Sequence, residues 1–437
     1  MVDATSPTNE QVTEAWVYLL GRYLVMRQEG VDVAEEGIGY NVLKHNPAVV
    51  VGSSAASAPT FVNPNLDVVY SEAWIAVDEH TPAILEIPAV PAGRYYTAQI
   101  VDEWAEITHN INDRNFPDHP NGRFAICLAG SSPAIPEGCY RVDIPSSKAK
   151  LLTRVQIGDD VDAAVRLQHG FTLSSTGSPA VSAPIEIPAF DNAHLPGAWM
   201  FTEPYLSAAL TPADACGRAD ELQPLARRIS AFLRDDSDRV AALDQQIRSA
   251  AVPAFMDFVA HFGNVTNGWS STAAYPKFGD DYWFRATANF GGIWWNSSRE
   301  AVYELLHVDA NGAPTTGEHV YRMRFAPDTL PDAVVDAFWS LTVYGKPDYL
   351  LVPNRAGRFT VGSGRPLEAD ADGAITLTFA PELPTGTPET NWLPTPAGKP
   401  FTADLRLYLP RDDVRTGAWT PPPLVPISRP LPDAAAR

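Results

Sequence analysis

Phe61-Val62-Asn63-Pro64-Asn65-Leu66-Asp67-Val68-Val69-Tyr70-Ser71-Glu72-Ala73-Trp74 sets two asparagines, an aspartate, a proline and a tyrosine against an apolar run. Such polar density ahead of a core strand marks a tightly bonded turn, a binding surface, or both. Two accounts stay open. In one, Asn63, Asn65 and Asp67 cap backbone amides in an Asx-type turn, and Tyr70 bonds back to main chain like a tyrosine corner. In the other, Asp67 and Tyr70 project into a cleft as acid/base groups or substrate anchors.

Outward from this stretch the pattern is β. Short runs rich in β-branched and aromatic residues recur at 68–70, 73–77, 83–87, 95–101, 123–128, 139–144 and 151–157, punctuated by Pro, Gly and Asp. That spacing predicts a β-sandwich over 61–170. A second set, at 303–308, 320–325, 337–344, 359–361, 375–379 and 401–409, predicts another over 301–419. The turns at 309–312 and 370–373 carry the Asn-Gly and Asp-Gly pairs that hairpins use. Neither has the rest of a calcium loop.

Helical spacing fills the remainder. Residues 9–28 read as an amphipathic helix in an amino-terminal segment of 1–60 that ends in a small-residue loop, 52–59. A Ser-, Pro- and Gly-rich crossing over 171–196 leads to helices at 204–210, 219–233, 238–262 and 279–290, with Pro253 kinking or splitting the third. The Pro-rich tail, 420–437, suits an extended path over a surface or around a neighbouring subunit.

Composition narrows the function classes. Thirty-two Lys and Arg against 52 Asp and Glu give a net charge of −20, which argues against nucleic acid and anionic membranes as partners. No apolar run approaches the ~20 residues of a membrane helix. The amino terminus lacks a basic and apolar leader pattern, so the expected compartment is the cytoplasm. Cys127, Cys139 and Cys216 form no CxxC pair and read as free thiols, although Cys127 and Cys139 could face each other across a hairpin.

The nucleophile elbow, the dinucleotide and phosphate-binding glycine loops and the His-Glu-x-x-His motif are all missing. No organic cofactor is therefore expected, and a divalent metal is left open. His109, Asn112, Asp113, Asp118 and His119 read as a solvated loop rather than a metal site.

Several motifs are more particular: Pro64-Asn65-x-Asp67-x-x-Tyr70-x-x-x-Trp74, Gly93-Arg94-Tyr95-Tyr96 with Asp102, Gly279-x-Asp281-Tyr282-x-x-Arg285-Ala286, Phe338-Trp339-Ser340-Leu341-Thr342-Val343-Tyr344, Asn391-Trp392-Leu393-Pro394 and Leu405-Arg406-Leu407-Tyr408. In this order, over roughly residues 10–412, they resemble the uncharacterised family that pairs domain of unknown function 1254 with domain of unknown function 1214. The resemblance implies a mainly β fold with a helical part: an immunoglobulin-like β-sandwich, a helical connection and a jelly-roll-like sandwich, often in homo-oligomers. It implies no agreed activity.

The residues themselves suggest where chemistry could sit. Arg94 and Tyr96 share one strand face, where Asp67 or Asp102 could pair with the guanidinium. Trp339, Leu341 and Val343 form an apolar face, while Phe338, Ser340, Thr342 and Tyr344 form a mixed one that suits a cleft. Asp281 and Arg285 fall on one helical face as an expected ion pair. The reading is an enzyme without organic cofactor, of hydrolase or lyase type, acting on a small polar or carbohydrate-like molecule between the two β domains. Asp67, Tyr70 and Arg94 are its catalytic candidates. Asn65, Tyr96, Trp104, Trp339, Tyr344, Asn391, Trp392 and Arg406 are its substrate-binding ones. A non-catalytic binding protein and a structural oligomer are the alternatives.

Overall fold

The computed structural model describes residues 6–427 except 36, 49–62, 235, 264 and 274–276. Phe61, Val62, the loop at 52–59 and the last ten residues of the tail therefore lie outside the described residues.

Helix α1 (Asn9–Ala34) starts at a capping box: the Thr8 hydroxyl accepts from Gln11 N and the Gln11 side chain accepts from Thr8 N. The amphipathic expectation is corrected here. Every residue from Ala15 to Met26 is buried, because other helices and the side chains of Trp74, Val101 and Trp104 enclose this one.

The first β half has nine strands: β1 (Lys44–His45), β2 (Val68–Ala76), β3 (Ala83–Ile87), β4 (Tyr96–Val101), β5 (Ile107–Ile111), β6 (Gly122–Leu128), β7 (Cys139–Ile144), β8 (Lys148–Gln156) and β9 (Thr172–Ser175). They make two sheets, ordered β1-β2-β8-β4-β5 and β7-β6-β3-β9. Alternating residues such as Val69, Ile75, Ile100 and Leu151 meet Leu85, Phe124 and Ile144 between the sheets. Cys127 and Cys139 sit on β6 and β7, which run parallel, so no hairpin joins them and both are free thiols, as is Cys216. Helix α2 (Val161–Gln168) follows, capped by Asp160.

Helices α3 (Tyr205–Ala209), α4 (Ala219–Leu233), α5 (Ser237–Gln246), α6 (Val252–His261) and α7 (Tyr282–Gly292) enclose α1. The expected break at Pro253 takes the form of a π turn over Ile247–Ala251 between α5 and α6.

The second β half contains β10 (Val265–Thr266), β11 (Trp269–Ser271), β12 (Ala301–Leu306), β13 (Tyr321–Phe325), β14 (Trp339–Gly345), β15 (Thr360–Gly362), β16 (Ile375–Ala380), β17 (Trp392–Pro394), β18 (Phe401–Tyr408) and β19 (Val425–Pro426), with α8 (Asp412–Arg415) before the last. Its sheets are β10-β11-β12-β18-β14-β15 and β17-β16-β13-β19. Trp339, Leu341, Leu405 and Leu407 face Met323, Phe325, Leu377 and Phe379 in the core. Both expected turns form, with Gly312 N donating to Asp309 O and Gly373 N to Asp370 O. The described part of the tail adds β19 at a sheet edge, as a proline-rich strand must.

Helix and strand are nearly equal, 26% and 27%, so the fold is one of mixed sheets with a helical part rather than mainly β. Sheet β1-β2-β8-β4-β5 and sheet β10-β11-β12-β18-β14-β15 each turn one face to their own core and the other toward the opposite half. The candidate site lies between those outward faces.

Candidate functional site

Residues 63–67 cross from the first half onto the second. Asn63 N donates to Tyr349 O (2.9 Å), and Pro64 O accepts from the Tyr344 hydroxyl (2.8 Å). Asn65 Oδ1 accepts from Asp67 N (2.8 Å), the expected Asx turn, while Nδ2 donates to the hydroxyls of Tyr70 (3.0 Å) and Tyr408 (2.7 Å). Asp67 Oδ2 accepts from Ser340 Oγ (2.6 Å). The crossing strap therefore bonds Ser340 and Tyr344 of β14 and Tyr408 of β18, while Thr342 Oγ1 on the same face makes no hydrogen bond among the described residues. Tyr70 is no tyrosine corner: its hydroxyl meets a side chain, not main chain.

Below the strap is a cavity of about 820 Å³, bounded by both β halves and the carboxy-terminal end of α7. Tyr70 and Arg154, directly opposed on β2 and β8, form one wall. Tyr303 and Arg406, opposed on β12 and β18, form the second with Asp404. Phe290, Ile293, Trp294 and Trp295 form the third.

Arg154 is buried; it donates to Gln99 Oε1 and to Trp294 O (2.9 Å), and its guanidinium lies 5.5 Å from the Tyr70 ring centre. Arg406 Nη2 donates to Asn63 O (3.3 Å) and Asp404 Oδ2 (3.4 Å), and its enclosed Nη1 has no hydrogen-bond partner among the described residues. Burial pushes the Asp404 carboxyl up to about 6, against the pull of Arg406. Burial also raises the Tyr303 phenol and lowers His307 and Lys346. His307 Nε2 lies 2.7 Å from Ser270 Oγ.

Of the expected site residues, the fold brings Asn65, Tyr70 and Arg406 together. Asp67 and Tyr344 stand behind the lining; the Asp67 carboxyl is enclosed, and burial raises its pKa. The others lie elsewhere. Arg94 donates to Gln156 O (2.7 Å) and Ile157 O (3.1 Å) and pairs with neither expected aspartate. Asp102 instead accepts from Trp104 N and Glu106 N. Tyr96 points into the first core and bonds Pro120 O. Its neighbour Tyr95 takes the outward face, donating to Glu300 Oε2 (3.2 Å) and packing on Phe338 and Tyr408.

Trp104 is in the helical core with Nε1 on Pro212 O (3.1 Å). Trp339 is in the second core with Nε1 on Asp332 Oδ2 (2.8 Å). Trp392 Nε1 reaches Ala380 O, and Asn391 holds Glu368 and Thr376, all remote from the cavity. The Asp281–Arg285 pair is also corrected: Asp281 caps α7 through Phe284 N, and Arg285 takes Asp214 in a two-pronged buried bridge (2.8 and 3.1 Å). Among the described residues no three His, Cys, Asp or Glu side chains converge as metal ligands.

Arg154, Tyr303 and Asp404 escaped the sequence reading. Asp404 could have been found, since Thr402, Asp404, Arg406 and Tyr408 alternate with Ala403, Leu405 and Leu407. Arg154 leaves only the weaker signal of a charge inside an apolar strand.

Residues 41–175 match the model of the protein of unknown function DUF1254, and residues 300–412 that of the protein of unknown function DUF1214. No curated protein matches the chain. Among solved structures, the VPA0106 protein from Vibrio parahaemolyticus is similar at 20% identity and a TM-score of 0.68, over 96% of this chain and 100% of that one. At that identity the shared property is the fold. A putative uncharacterized protein from Burkholderia cenocepacia aligns over 97% of this chain and 93% of its own at 14% identity, with a TM-score of 0.44.

Proposed function

We propose, for a chain that belongs to the family pairing DUF1254 with DUF1214, that the cavity between its β halves binds a small organic molecule and acts on it by proton transfer. One observation carries this reading. A roomy cavity holds a carboxyl with a pKa of about 6 beside two buried guanidinium groups and two tyrosines. Near neutral pH Asp404 is ionised enough to take a proton and weak enough an acid to return it. Tyr70 and Tyr303 offer hydroxyls, and Arg154 stabilises negative charge that develops on the substrate. Proton transfer of this kind suits lyase or isomerase chemistry.

Asp404 thus takes the role that the sequence suggested for Asp67. Absence of an organic cofactor, residence in the cytoplasm and assembly into homo-oligomers belong to the same proposal. So do an immunoglobulin-like first half and a jelly-roll-like second half, each drawn as two facing sheets.

The test incubates the protein with a small-molecule extract and follows every compound by mass spectrometry. The expected result is a compound consumed by the parent, spared by Asp404→Asn and retained on that variant. A compound retained equally by both and consumed by neither would make the cavity a binding site without catalysis.

A further inference from the structure

Among the described residues, buried cations are matched with carboxylates, with one exception. Arg22 has Glu103 (3.2 Å), Lys150 has Asp32 (2.6 Å) and Glu72 (2.7 Å), and Arg285 has Asp214 (2.8 Å). Arg154 is just as deeply placed, yet among the described residues it meets only an amide oxygen, a backbone carbonyl and tyrosine rings. Desolvating a guanidinium without a counter-charge is unfavourable unless something else supplies that charge. Unlike those three, Arg154 lines the cavity.

A second cation shares the cavity. Arg406 is already matched with Asp404 (3.4 Å). Tyr303, opposed to Arg406 on the neighbouring strand, lines the same cavity as Arg154. A buried guanidinium without a counter-charge, in one cavity with a phenol hydroxyl, is what a planar oxyanion satisfies. The opposing wall of Phe262, Phe290, Ile293, Trp294 and Trp295 has little to offer a polyol and much to offer a hydrocarbon or aromatic body.

We infer that the ligand is a small carboxylate with an apolar body, its carboxylate received by Arg154 and the Tyr303 hydroxyl, its body laid on the α7 end. This rests on the reading of the cavity as a small-molecule site and narrows it. Asp404 shares the cavity and already balances Arg406, so Arg154 is the guanidinium left for the ligand. The remaining charged or titratable groups of the lining are Lys346, His307, Tyr70 and Tyr349, and none of them is a carboxylate.

Calorimetric titration of the full chain tests this with alkanoates from butyrate to decanoate and with 4-bromophenylacetate, each beside its carboxamide. Alkyl and aryl arms separate a fatty acid from an aromatic acid as the source of the shared chemistry. At least one acid should bind tenfold or more tightly than its amide, and its affinity should fall with added salt. Arg154→Gln should remove that preference, bringing the acid's affinity down to that of its amide. Amides binding as well as acids would overturn the carboxylate assignment and leave the cavity reading standing. Failure of every acid and every amide at millimolar concentration would overturn both. Should Arg154→Gln not fold, the acid-to-amide ratio and its salt dependence in the parent decide the matter.

Discussion

Glu304 shows how one buried acid reports on its surroundings. It is buried at the edge of the second core, its only hydrogen bond comes from Ser271 Oγ (2.6 Å), and burial pushes it up to about 7. The folded state therefore holds its proton more firmly than the unfolded chain does. Stability from this group is fully present below about 4.5 and is lost as pH rises through about 7. Glu304→Gln, which keeps an acceptor for Ser271, should match the parent at pH 4. At pH 8 it should be more stable by on the order of 1–3 kcal/mol, as measured by urea unfolding at both pH values. Asp102, pushed by burial to about 7, and Asp404, to about 6, tilt stability the same way. Residue identity was legible at Asn65, whose turn and bridging bonds follow from a short amide after proline. The Arg94-Tyr95-Tyr96 strand was misjudged by one position. Alternation separates two faces, and nothing local says which of them meets the other domain.

At the scale of elements, the contact between α1 and α7 organises the helical body. Gly21 lets the helices close up: a Cβ there would stand 3.5 Å from Ala286 Cα, and Asn289 Nδ2 donates to Gly21 O (3.0 Å). That distance is ordinary contact, so Gly21→Ala should be neutral or stabilise by up to ~1 kcal/mol through helix propensity. Gly21→Leu must displace Ala286 or Arg285 and should cost about 1–3 kcal/mol or more. Chemical denaturation of the two variants checks the contrast, and equal losses would show that the helices are not in close contact at this point. Elements as such were readable: α4 falls where its spacing placed it, 219–233, and Pro253 announced a break. The full burial of α1 was not readable. Its apolar stripe looks the same whether its flanks meet water or other helices.

Across the whole molecule, the two β halves are joined by a polar latch and an aromatic cluster. Glu300, from the second half, accepts from Tyr95 (3.2 Å), Asn112 (3.0 Å) and Arg114 (2.8 Å) of the first. Val68 and Tyr95 pack against Ala301, Phe338 and Tyr408 beside it. Glu300→Ala strands the Asn112 amide and the Tyr95 hydroxyl while Arg114 keeps Asp113, and should cost ~1–3 kcal/mol. Scanning calorimetry should then resolve two transitions where the parent shows one; a single transition at an unchanged midpoint would mean that the latch does not couple the halves. The sequence alone determined the two strand-rich regions, the helices between them, the turns and the family. Each of these rests on periodicity, turn chemistry or short motifs, which act over a few residues. Only the tertiary structure decided which polar face became a cavity wall. Tyr70, Arg154, Trp294, Tyr303 and Arg406 come from strands and a helix end far apart in the chain. A guanidinium is structural or available to a ligand according to whether a carboxylate meets it, and that is settled by packing.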